Sequence, residues 1–324
     1  MNRNRLGRTQ FEVAPLAFGG NVFGWTADEA TSFRLLDAFV EAGGNLIDTA
    51  NSYSRWVPGH EGGESETVIG RWVARRGRHD DVVIATKVGS DMGQGGKCLR
   101  RDYILQAVDE SLRRLQVDAI DLYQSHWDDE STPFDETLDA YARLLEQGKV
   151  KAIGASNLTP RRLQQALDAS ARDGLPRYQT LQPLYNLYDR DTFEGPLCEL
   201  CLREDIGVIT YFSLAAGFLT GKYRSEQDYA KSARGPGMKK YLNRRGRRIL
   251  DALDDVAGRL HAKPVQVALA WLMAQPGVTA AIASATSLPQ LAELVGATRL
   301  SLDELDMRQL DEASRATSDA GQGP

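Results

Sequence analysis

Eight short apolar segments, separated by stretches of helical pattern, are the feature that most constrains the fold of this chain. The segments begin at Pro15, Asn45, Val82, Ala119, Val150, Thr180, Gly207 and Thr279. Most of them are continuously apolar rather than alternating, which is typical of parallel strands covered on both faces. Their starting points lie roughly 30 residues apart, the length of one strand with its crossover helix. The exception is one long gap before the last segment.

The intervening patterns predict helices. Apolar residues recur at helical spacing from Asp102 to Leu115, and Thr159 followed by Pro160 is a helix-start signal. Eight such units predict an α/β protein with a single (β/α)8 TIM barrel, spanning residues 1–324 as one domain. The rival fold, a doubly wound sheet, usually has fewer strands and a GxGxxG fingerprint after the first strand, which is missing here.

Three parts of the chain fall outside the repeating units. We interpret the first fifteen residues as a β-hairpin cap on the floor of the barrel. The gap between the seventh and eighth segments is interpreted as a long insertion before strand eight. The tail from about residue 315, which ends in SDAGQGP, is predicted to be flexible.

The charge and the cysteine content exclude several classes of function. With a net charge of −5, the chain lacks the concentrated positive field that nucleic-acid binding needs. Neither a signal-peptide pattern nor a run of about 20 apolar residues is present, and three cysteines are too few for a disulfide framework. We therefore predict a cytoplasmic protein with no nucleic-acid or membrane partner. No feature of the sequence predicts an oligomeric state.

Two local motifs are interpreted without a catalytic role. Cys198 and Cys201 form a lone CxxC on a helical pattern, which we interpret as two small core residues rather than a zinc or redox site. No metal is expected elsewhere either. The basic run at residues 239–248 fits either a solvated surface or a group of cations that helps to hold a cofactor phosphate.

Four chemically versatile side chains follow the predicted strand ends. Asp48 ends the second strand and Tyr53 lies in the loop after it, while Lys87 and His126 end the third and fourth strands. The C-terminal strand ends of a (β/α)8 barrel converge on one mouth, where catalytic residues sit. An ammonium group buried in VVIATKV without a partner would be costly, so we expect Lys87 to pair with Asp48.

This group of residues suits the reduction of a carbonyl. A Tyr hydroxyl with a pKa of about 10 is a poor proton donor at neutral pH, and we expect the Lys87 ammonium to lower the pKa of Tyr53. His126 can orient a carbonyl oxygen by a hydrogen bond. Because no side chain supplies hydride, the chemistry implies a nicotinamide cofactor.

The chain resembles an aldo-keto reductase from Leu6 to about Leu310. The segments that carry the resemblance are GGNLIDTANSY, IATKVG, DLYQSHWDD, GKVKAIGASN, LQPLYNL and ITYFSLAAGFLTGKY. The YNL and LTGKY segments are similar to the bacterial and potassium-channel β-subunit-like branch of that superfamily. The resemblance implies an NAD(P)H-dependent oxidoreductase that converts an aldehyde or ketone, such as a sugar or an aromatic carbonyl, to the alcohol.

The resemblance also implies residue roles. Tyr53 would be the proton donor, tuned by Asp48 and Lys87, with His126 orienting the substrate carbonyl. The residues implied for the cofactor are Ser156, Asn157 and Gln182 at the nicotinamide carboxamide, Tyr211 stacked beneath its ring, and Ser213, Leu214, Gly217, Thr220 and Lys222 around the pyrophosphate.

The segment after strand eight departs from the pattern of members that favour NADP. It offers Ser284, Thr286, Gln290 and Glu293 where those members usually place Lys or Arg. Hydroxyl groups and a helix N-terminus can still hold a phosphate. We expect NADP, as NADPH, on the ground of the resemblance, with NAD as the alternative.

Aromatic side chains near the predicted mouth are candidates for the substrate pocket. They are Phe23, Trp25, Trp56 and Trp127. Flat apolar walls suit a small carbonyl compound with a hydrophobic or ring-shaped body. Two other functions stay open: a non-catalytic subunit that keeps the cofactor as a redox sensor, and an aldolase that forms a Schiff base at Lys87.

Overall fold

Each of the eight apolar segments forms one strand of a closed parallel barrel. The computed structural model of the chain describes residues 1–315. Its strands are β1 (Asn4–Arg5), β2 (Glu12–Val13), β3 (Leu16–Gly19), β4 (Leu46–Asp48), β5 (Val83–Val88), β6 (Ile120–Ser125), β7 (Val150–Ser156), β8 (Thr180–Gln182), β9 (Gly207–Thr210) and β10 (Val278–Ala283). Strands β3 to β10 follow one another around the barrel, and β10 closes it by pairing with β3. The predicted (β/α)8 class is confirmed.

Helices connect the barrel strands and bury their apolar sides in one continuous core. They are α1 (Glu29–Glu41), α2 (Glu64–Arg76), α3 (Arg101–Leu115), α4 (Phe134–Glu146), α5 (Pro160–Asp173), α6 (Pro196–Arg203), α7 (Arg244–Arg259), α8 (Pro264–Met273), α9 (Leu288–Ala297) and α10 (Glu304–Ser314). The predicted start of α5 is present, because the Thr159 side chain accepts a hydrogen bond from the Arg162 backbone and Pro160 opens the helix.

The hairpin β1–β2 covers the N-terminal end of the barrel, as predicted. Leu6 and Val13 are fully buried against the first residues of the barrel strands, and the Asn4 amide donates to the Thr279 carbonyl at 2.9 Å. Gly7 has a φ of 55°, and a Cβ atom there would lie 2.3 Å from the Gln179 carbonyl oxygen. The hairpin can therefore approach the barrel closely only with glycine at this turn.

The inward-facing rows of β4 and β5 change from apolar to polar along their length. Leu46, Val83 and Ala85 belong to the buried cluster that packs on the hairpin. Because side chains alternate between the two faces of a strand, the next inward residues on these strands are Asp48 and Lys87. An apolar plug thus fills one end of the barrel and supports polar side chains at the other.

The predicted long insertion lies between β9 and β10. It contains the short 3-10 segments Ala215–Thr220, Glu226–Lys231 and Gly235–Lys240, followed by α7 and α8. Of the tail that we predict to be flexible, the residues from 316 onwards lie outside the described residues. Across residues 1–315, no helix combines the length and the apolar character needed to cross a membrane.

Helix α6 carries the CxxC pair, and the structure corrects one half of our interpretation. Cys201 is 1% exposed, and burial raises the pKa of its thiol to about 12. Cys198 is half-buried at the edge of the buried helix face, where its Sγ lies 3.5 Å from the Pro276 carbonyl oxygen. Cys198 is therefore not the core residue that we predicted. Within residues 1–315, no group of three or more His, Cys, Asp or Glu side chains could hold a metal ion.

Candidate active site

A cavity of about 820 Å³ opens at the C-terminal ends of the barrel strands. Its walls come from strand ends, from the loops after them and from the insertion before β10. With the exceptions of Lys87 and Phe23, all the residues that the sequence analysis assigned to the site line this cavity. The structure therefore brings these sequence-predicted residues together around one cavity.

Lys87 lies beneath the cavity floor and is fully buried. Its Nζ atom donates to Asp48 Oδ2 at 2.7 Å, to the Tyr53 hydroxyl oxygen at 2.8 Å and to the Thr49 carbonyl oxygen at 2.8 Å. An ammonium group has three hydrogens to donate, and here each has a partner. The expected pairing of Lys87 with Asp48 is present, and Lys87 also donates to Tyr53.

Tyr53 lies in the turn after β4, with its hydroxyl 3.2 Å from Asp48 Oδ2. Burial raises the pKa of the Tyr53 hydroxyl well above its usual value, and the negative charge of Asp48 raises it further. This is opposite to the direction that we expected. The ammonium of Lys87 is itself neutralised by Asp48, so its charge does not offset the loss of water around the phenol. Tyr53 therefore keeps its proton at neutral pH.

His126 follows the end of β6 and faces Tyr53 across the cavity, with 6.0 Å between the ring centroids. Its Nδ1 atom lies 2.9 Å from Ser90 Oγ. Burial, followed by the charge of Lys87, holds the pKa of His126 well below its usual value of 6.5. The imidazole is therefore neutral at pH 7. When the Ser90 hydroxyl donates to Nδ1, the ring proton is on Nε2.

An amide cluster continues the hydrogen-bond network from Asp48 along the floor. Gln182 Nε2 donates to Asp48 Oδ1 at 2.8 Å, and Ser156 Oγ donates to the Gln182 carbonyl oxygen at 2.7 Å. Asn157 accepts from the Tyr211 hydroxyl at 2.7 Å. Its φ of 59° is an uncommon conformation for a residue other than glycine. The four residues that the resemblance placed at the carboxamide and ring of nicotinamide thus form one connected group.

The loop after β9 has an unusual backbone. Phe212, Ala215, Ala216 and Gly217 have positive φ values of 51°, 47°, 55° and 101°. Backbone N–H groups in such turns can converge to form a concave anion site. Lys222, which also lines the cavity, forms no ion pair within residues 1–315. This part of the wall offers the donors and the positive charge that an anionic group needs.

The segment after β10 contributes further polar groups to the cavity wall. Thr286 bonds to Gln290 Oε1 through its backbone N–H at 2.9 Å and its hydroxyl at 3.0 Å. Ser284 Oγ donates to the Gly19 carbonyl oxygen at 2.7 Å. Glu293 pairs with Lys263, a cation from the start of α8 that the sequence analysis did not consider.

Three of the four predicted aromatic walls line the cavity. The Trp25 and Trp56 rings meet edge to face at 5.5 Å, Trp56 contacts Tyr53, and Trp127 stacks on His126. Phe23 is the exception and corrects the prediction. Its ring is fully buried and stacks on Phe18 at 5.3 Å, because the turn at Gly20–Val22 directs it into the hydrophobic core.

The basic run does not contribute to the cavity. None of residues 239–248, all of which are described, lines it. Arg245 and Arg248 instead donate to the carbonyl oxygens of Ser314 and Ala313 at the end of α10. These two side chains therefore fasten the last described helix, which our interpretations of the run did not include. The other four cations, Lys239, Lys240, Arg244 and Arg247, are exposed and fit the solvated surface that we predicted.

Ser90, Asn21 and Arg234 were not predicted from the sequence. Ser90 contacts His126, and Asn21 and Arg234 line the cavity. Ser90 and Arg234 lie in loops and Asn21 lies in the short 3-10 turn Gly20–Val22, where no periodic pattern predicts which way a side chain faces. The GSD sequence directly after the strand of Lys87 could have indicated that Ser90 lies at the same strand end. The Gly- and Pro-rich composition around Arg234 indicated a loop but not the direction of this side chain.

Comparisons with known proteins show which family and relatives the chain is similar to. The model of the Aldo/keto reductase family matches residues 15–315 of the chain. The "Uncharacterized oxidoreductase YrpG" of Bacillus subtilis (strain 168) is 34% identical over 319 residues, which cover 96% of this chain and 95% of that protein. The "Protein tas" of Escherichia coli (strain K12) is 32% identical over 329 residues, covering 94% and 95%. A "Probable voltage-gated potassium channel subunit beta" of Oryza sativa subsp. japonica is 30% identical over 303 residues, covering 90% of each chain.

Proposed function

The chain belongs to the aldo/keto reductase family, and from this premise we propose that it is an NAD(P)H-dependent reductase of aldehydes or ketones in which Tyr53 donates the proton. The family and the bacterial and potassium-channel β-subunit-like branch were both predicted from the sequence and are confirmed. The observation that carries the proposed mechanism is the contact of Lys87 with both Asp48 and Tyr53 at the cavity floor.

The proton step follows from the state of Tyr53. The raised pKa of Tyr53 keeps the hydroxyl protonated until the carbonyl oxygen gains negative charge. An alkoxide is far more basic than a phenolate, so it takes the proton even from a weakly acidic Tyr. The Lys87 ammonium, 2.8 Å away, stabilises the phenolate that remains. Neutral His126 donates a hydrogen bond that orients the carbonyl oxygen.

The cavity residues fit a nicotinamide dinucleotide. Such a cofactor, when bound, supplies the hydride that adds to the carbonyl carbon. The Gln182 amide uses its N–H to bind Asp48, while its Oε1 atom accepts no hydrogen bond within residues 1–315 and is free for a carboxamide. The positive-φ loop at residues 212–217 offers N–H groups to phosphates. We propose NADPH as the cofactor, with NADH as the alternative. Lys263 neutralises the carboxylate of Glu293, which would otherwise repel the 2′-phosphate that distinguishes NADPH from NADH.

Replacing Tyr53 tests the proposal directly. We expect Tyr53→Phe to lower kcat/KM for carbonyl reduction by about 10²–10⁴-fold, the usual contribution of a positioned general acid, while NADPH still binds. The measurement follows the fall of NADPH absorbance over a panel of aldehydes and ketones, with cofactor binding followed by protein fluorescence. Tyr229→Phe, which removes a hydroxyl from the insertion outside the cavity, is the matched control. Full turnover by Tyr53→Phe would contradict the assigned role.

The sensor function remains the second candidate, because one relative carries the name of a channel β subunit. The carbonyl panel separates the two: a sensor binds the cofactor and turns over none of the substrates. The Schiff-base alternative has less support. Lys87 is fully buried, and its three hydrogen bonds hold its Nζ atom beneath Tyr53, away from the cavity space.

A further inference from the structure

Arg234 is a cation in the cavity wall that the proposed mechanism does not use. It lies in the insertion after β9, at the turn that precedes the Gly235–Lys240 segment. Its guanidinium carbon lies 5.5 Å from the ring centroid of Trp25, and Trp25 contacts Trp56, which contacts Tyr53. These contacts place Arg234 at the part of the cavity that contains the proposed proton donor.

The charge of Arg234 affects the pKa of Tyr53. Arg234 lowers the pKa of Tyr53, against the larger opposing effects of burial and Asp48. Burial lowers the pKa of Arg234 itself, and no carboxylate offsets that effect. The guanidinium is therefore partly desolvated in the same cavity as the hydroxyl that would protonate the substrate.

No carboxylate of residues 1–315 forms an ion pair with Arg234. The two acidic residues of the cavity wall are already engaged: Asp48 by Lys87 and Gln182, and Glu293 by Lys263. A partly buried cation without a partner is unfavourable, and proteins usually pair such groups. The missing counter-charge is one that a ligand can supply.

The fold holds Arg234 in place. The Arg234 backbone N–H donates to Ser232 Oγ at 3.2 Å, and that hydroxyl lies 2.6 Å from the Tyr223 hydroxyl. The following residue, Gly235, packs so closely that a Cβ atom there would lie 1.7 Å from the Tyr229 carbonyl oxygen. The backbone of Arg234 is thus set by a tight turn, from which the side chain enters the cavity wall.

We infer that Arg234 binds an anionic group of the substrate, so that the preferred substrates are carbonyl compounds that also carry a carboxylate. The planar guanidinium can bind a carboxylate through two parallel N–H bonds while its face rests on the Trp25 indole. The indoles of Trp25, Trp56 and Trp127 suit the apolar body between the two polar ends of such a molecule. This inference rests on the proposed carbonyl reduction and names the substrate class of the same site.

Matched acid and ester substrates test the inference. The substrates are 3-formylbenzoate and 4-formylbenzoate, each compared with its methyl ester, which keeps the aldehyde and the ring but removes the charge. We expect the protein to prefer the acid of at least one pair. Arg234→Met should lower kcat/KM for that acid by about 10- to 100-fold, the loss expected for a hydrogen bond to a charged group. The loss should appear mainly in KM, with the ester changed by less than about 2-fold.

Two further variants complete the comparison. Arg234→Lys keeps the charge but not the planar fork, so it should retain part of the preference for the acid. Arg224→Met removes an arginine of the same insertion that pairs with Asp254 outside the cavity. It should leave the use of both acid and ester unchanged.

Several outcomes would overturn the inference while carbonyl reduction stands. They are equal use of acid and ester by the unmodified protein, a parallel loss of both in Arg234→Met, and a selective loss of NADPH affinity in that variant. The last result would assign Arg234 to the cofactor.

If no carbonyl compound is reduced, the proposed function fails, and a binding measurement then decides whether Arg234 binds an anionic ligand. Titrating tryptophan fluorescence with 4-(hydroxymethyl)benzoate should show tighter binding than its methyl ester, dependent on Arg234; equal binding would refute the anion site.

Discussion

At the scale of single residues, the site depends on charges that neutralise one another away from water. Lys87 and Asp48 are each at most 2% exposed, and each is also bonded to neutral groups. Breaking a buried pair of this kind typically costs about 3–5 kcal/mol because the remaining charge is left unpaired. Tyr53 shares both partners, so its hydroxyl is held in position before any substrate arrives.

The neutral state of His126 predicts a specific pH dependence of stability. The pKa of His126 in the folded protein lies well below 6.5, whereas an unfolded chain titrates near the usual value. Below pH 6.5 the unfolded state therefore binds a proton that the folded state does not, so stability falls as the pH falls. The free energy of unfolding is measured in urea at pH 7.5 and 5.5. Between these pH values His126→Asn should lose less stability than the unmodified protein, and the difference is at most about 1.4 kcal/mol per pH unit.

The exposed His261 is the control for this experiment. His261→Asn should leave the loss of stability between the two pH values unchanged. An identical pH dependence in His126→Asn and the unmodified protein would mean that His126 takes up its proton equally in both states.

At the scale of elements, strand ends were easier to predict than loops. Asp48 and Lys87 follow from the alternation of side chains along β4 and β5, once the apolar segments are recognised as strands. Phe23 and Arg234 lie in turns, where the direction of a side chain depends on contacts made by distant parts of the chain. The pKa of Tyr53 was predicted in the wrong direction, because the sequence supplied the charged neighbour but not the degree of burial.

The link between α7 and α10 gives an element-scale prediction. Arg248 donates to the carbonyl oxygens of Ala313 and Arg315 at 2.8 and 2.7 Å, which satisfies acceptors that a helix end leaves free. Arg248→Met should lower the free energy of unfolding by about 1–3 kcal/mol and speed amide exchange in α10. Arg247→Met, its exposed neighbour in α7, should change stability by less than about 0.5 kcal/mol. Equal effects of the two substitutions would contradict the assigned contact. Neither variant should change KM, since neither residue lines the cavity.

At the scale of the whole molecule, the net charge does not describe the site. The chain carries a net charge of −5, yet Lys222 and Arg234 bring positive charge to the cavity without ion-pair partners among residues 1–315. Such a local field attracts anionic ligands even when the remaining surface is negative. The composition alone therefore predicts that the chain has no nucleic-acid partner, but it could not indicate an anionic cofactor or substrate.

Cofactor preference can be measured through the stability of the whole molecule. A ligand that binds only the folded state at 100 times its Kd stabilises that state by about 2.7 kcal/mol, which shifts the Tm of a chain of this size by about 4 °C. We expect NADPH to give this shift at a lower concentration than NADH. Thr286→Val removes a hydroxyl of the cavity wall while keeping the side-chain shape. It should reduce the shift with NADPH and leave the shift with NADH unchanged, because only NADPH carries a 2′-phosphate for that hydroxyl. Equal shifts with both cofactors in the unmodified protein would contradict the preference for NADPH. A loss with both cofactors in Thr286→Val would assign that hydroxyl to holding the loop before α9, where it contacts Gln290.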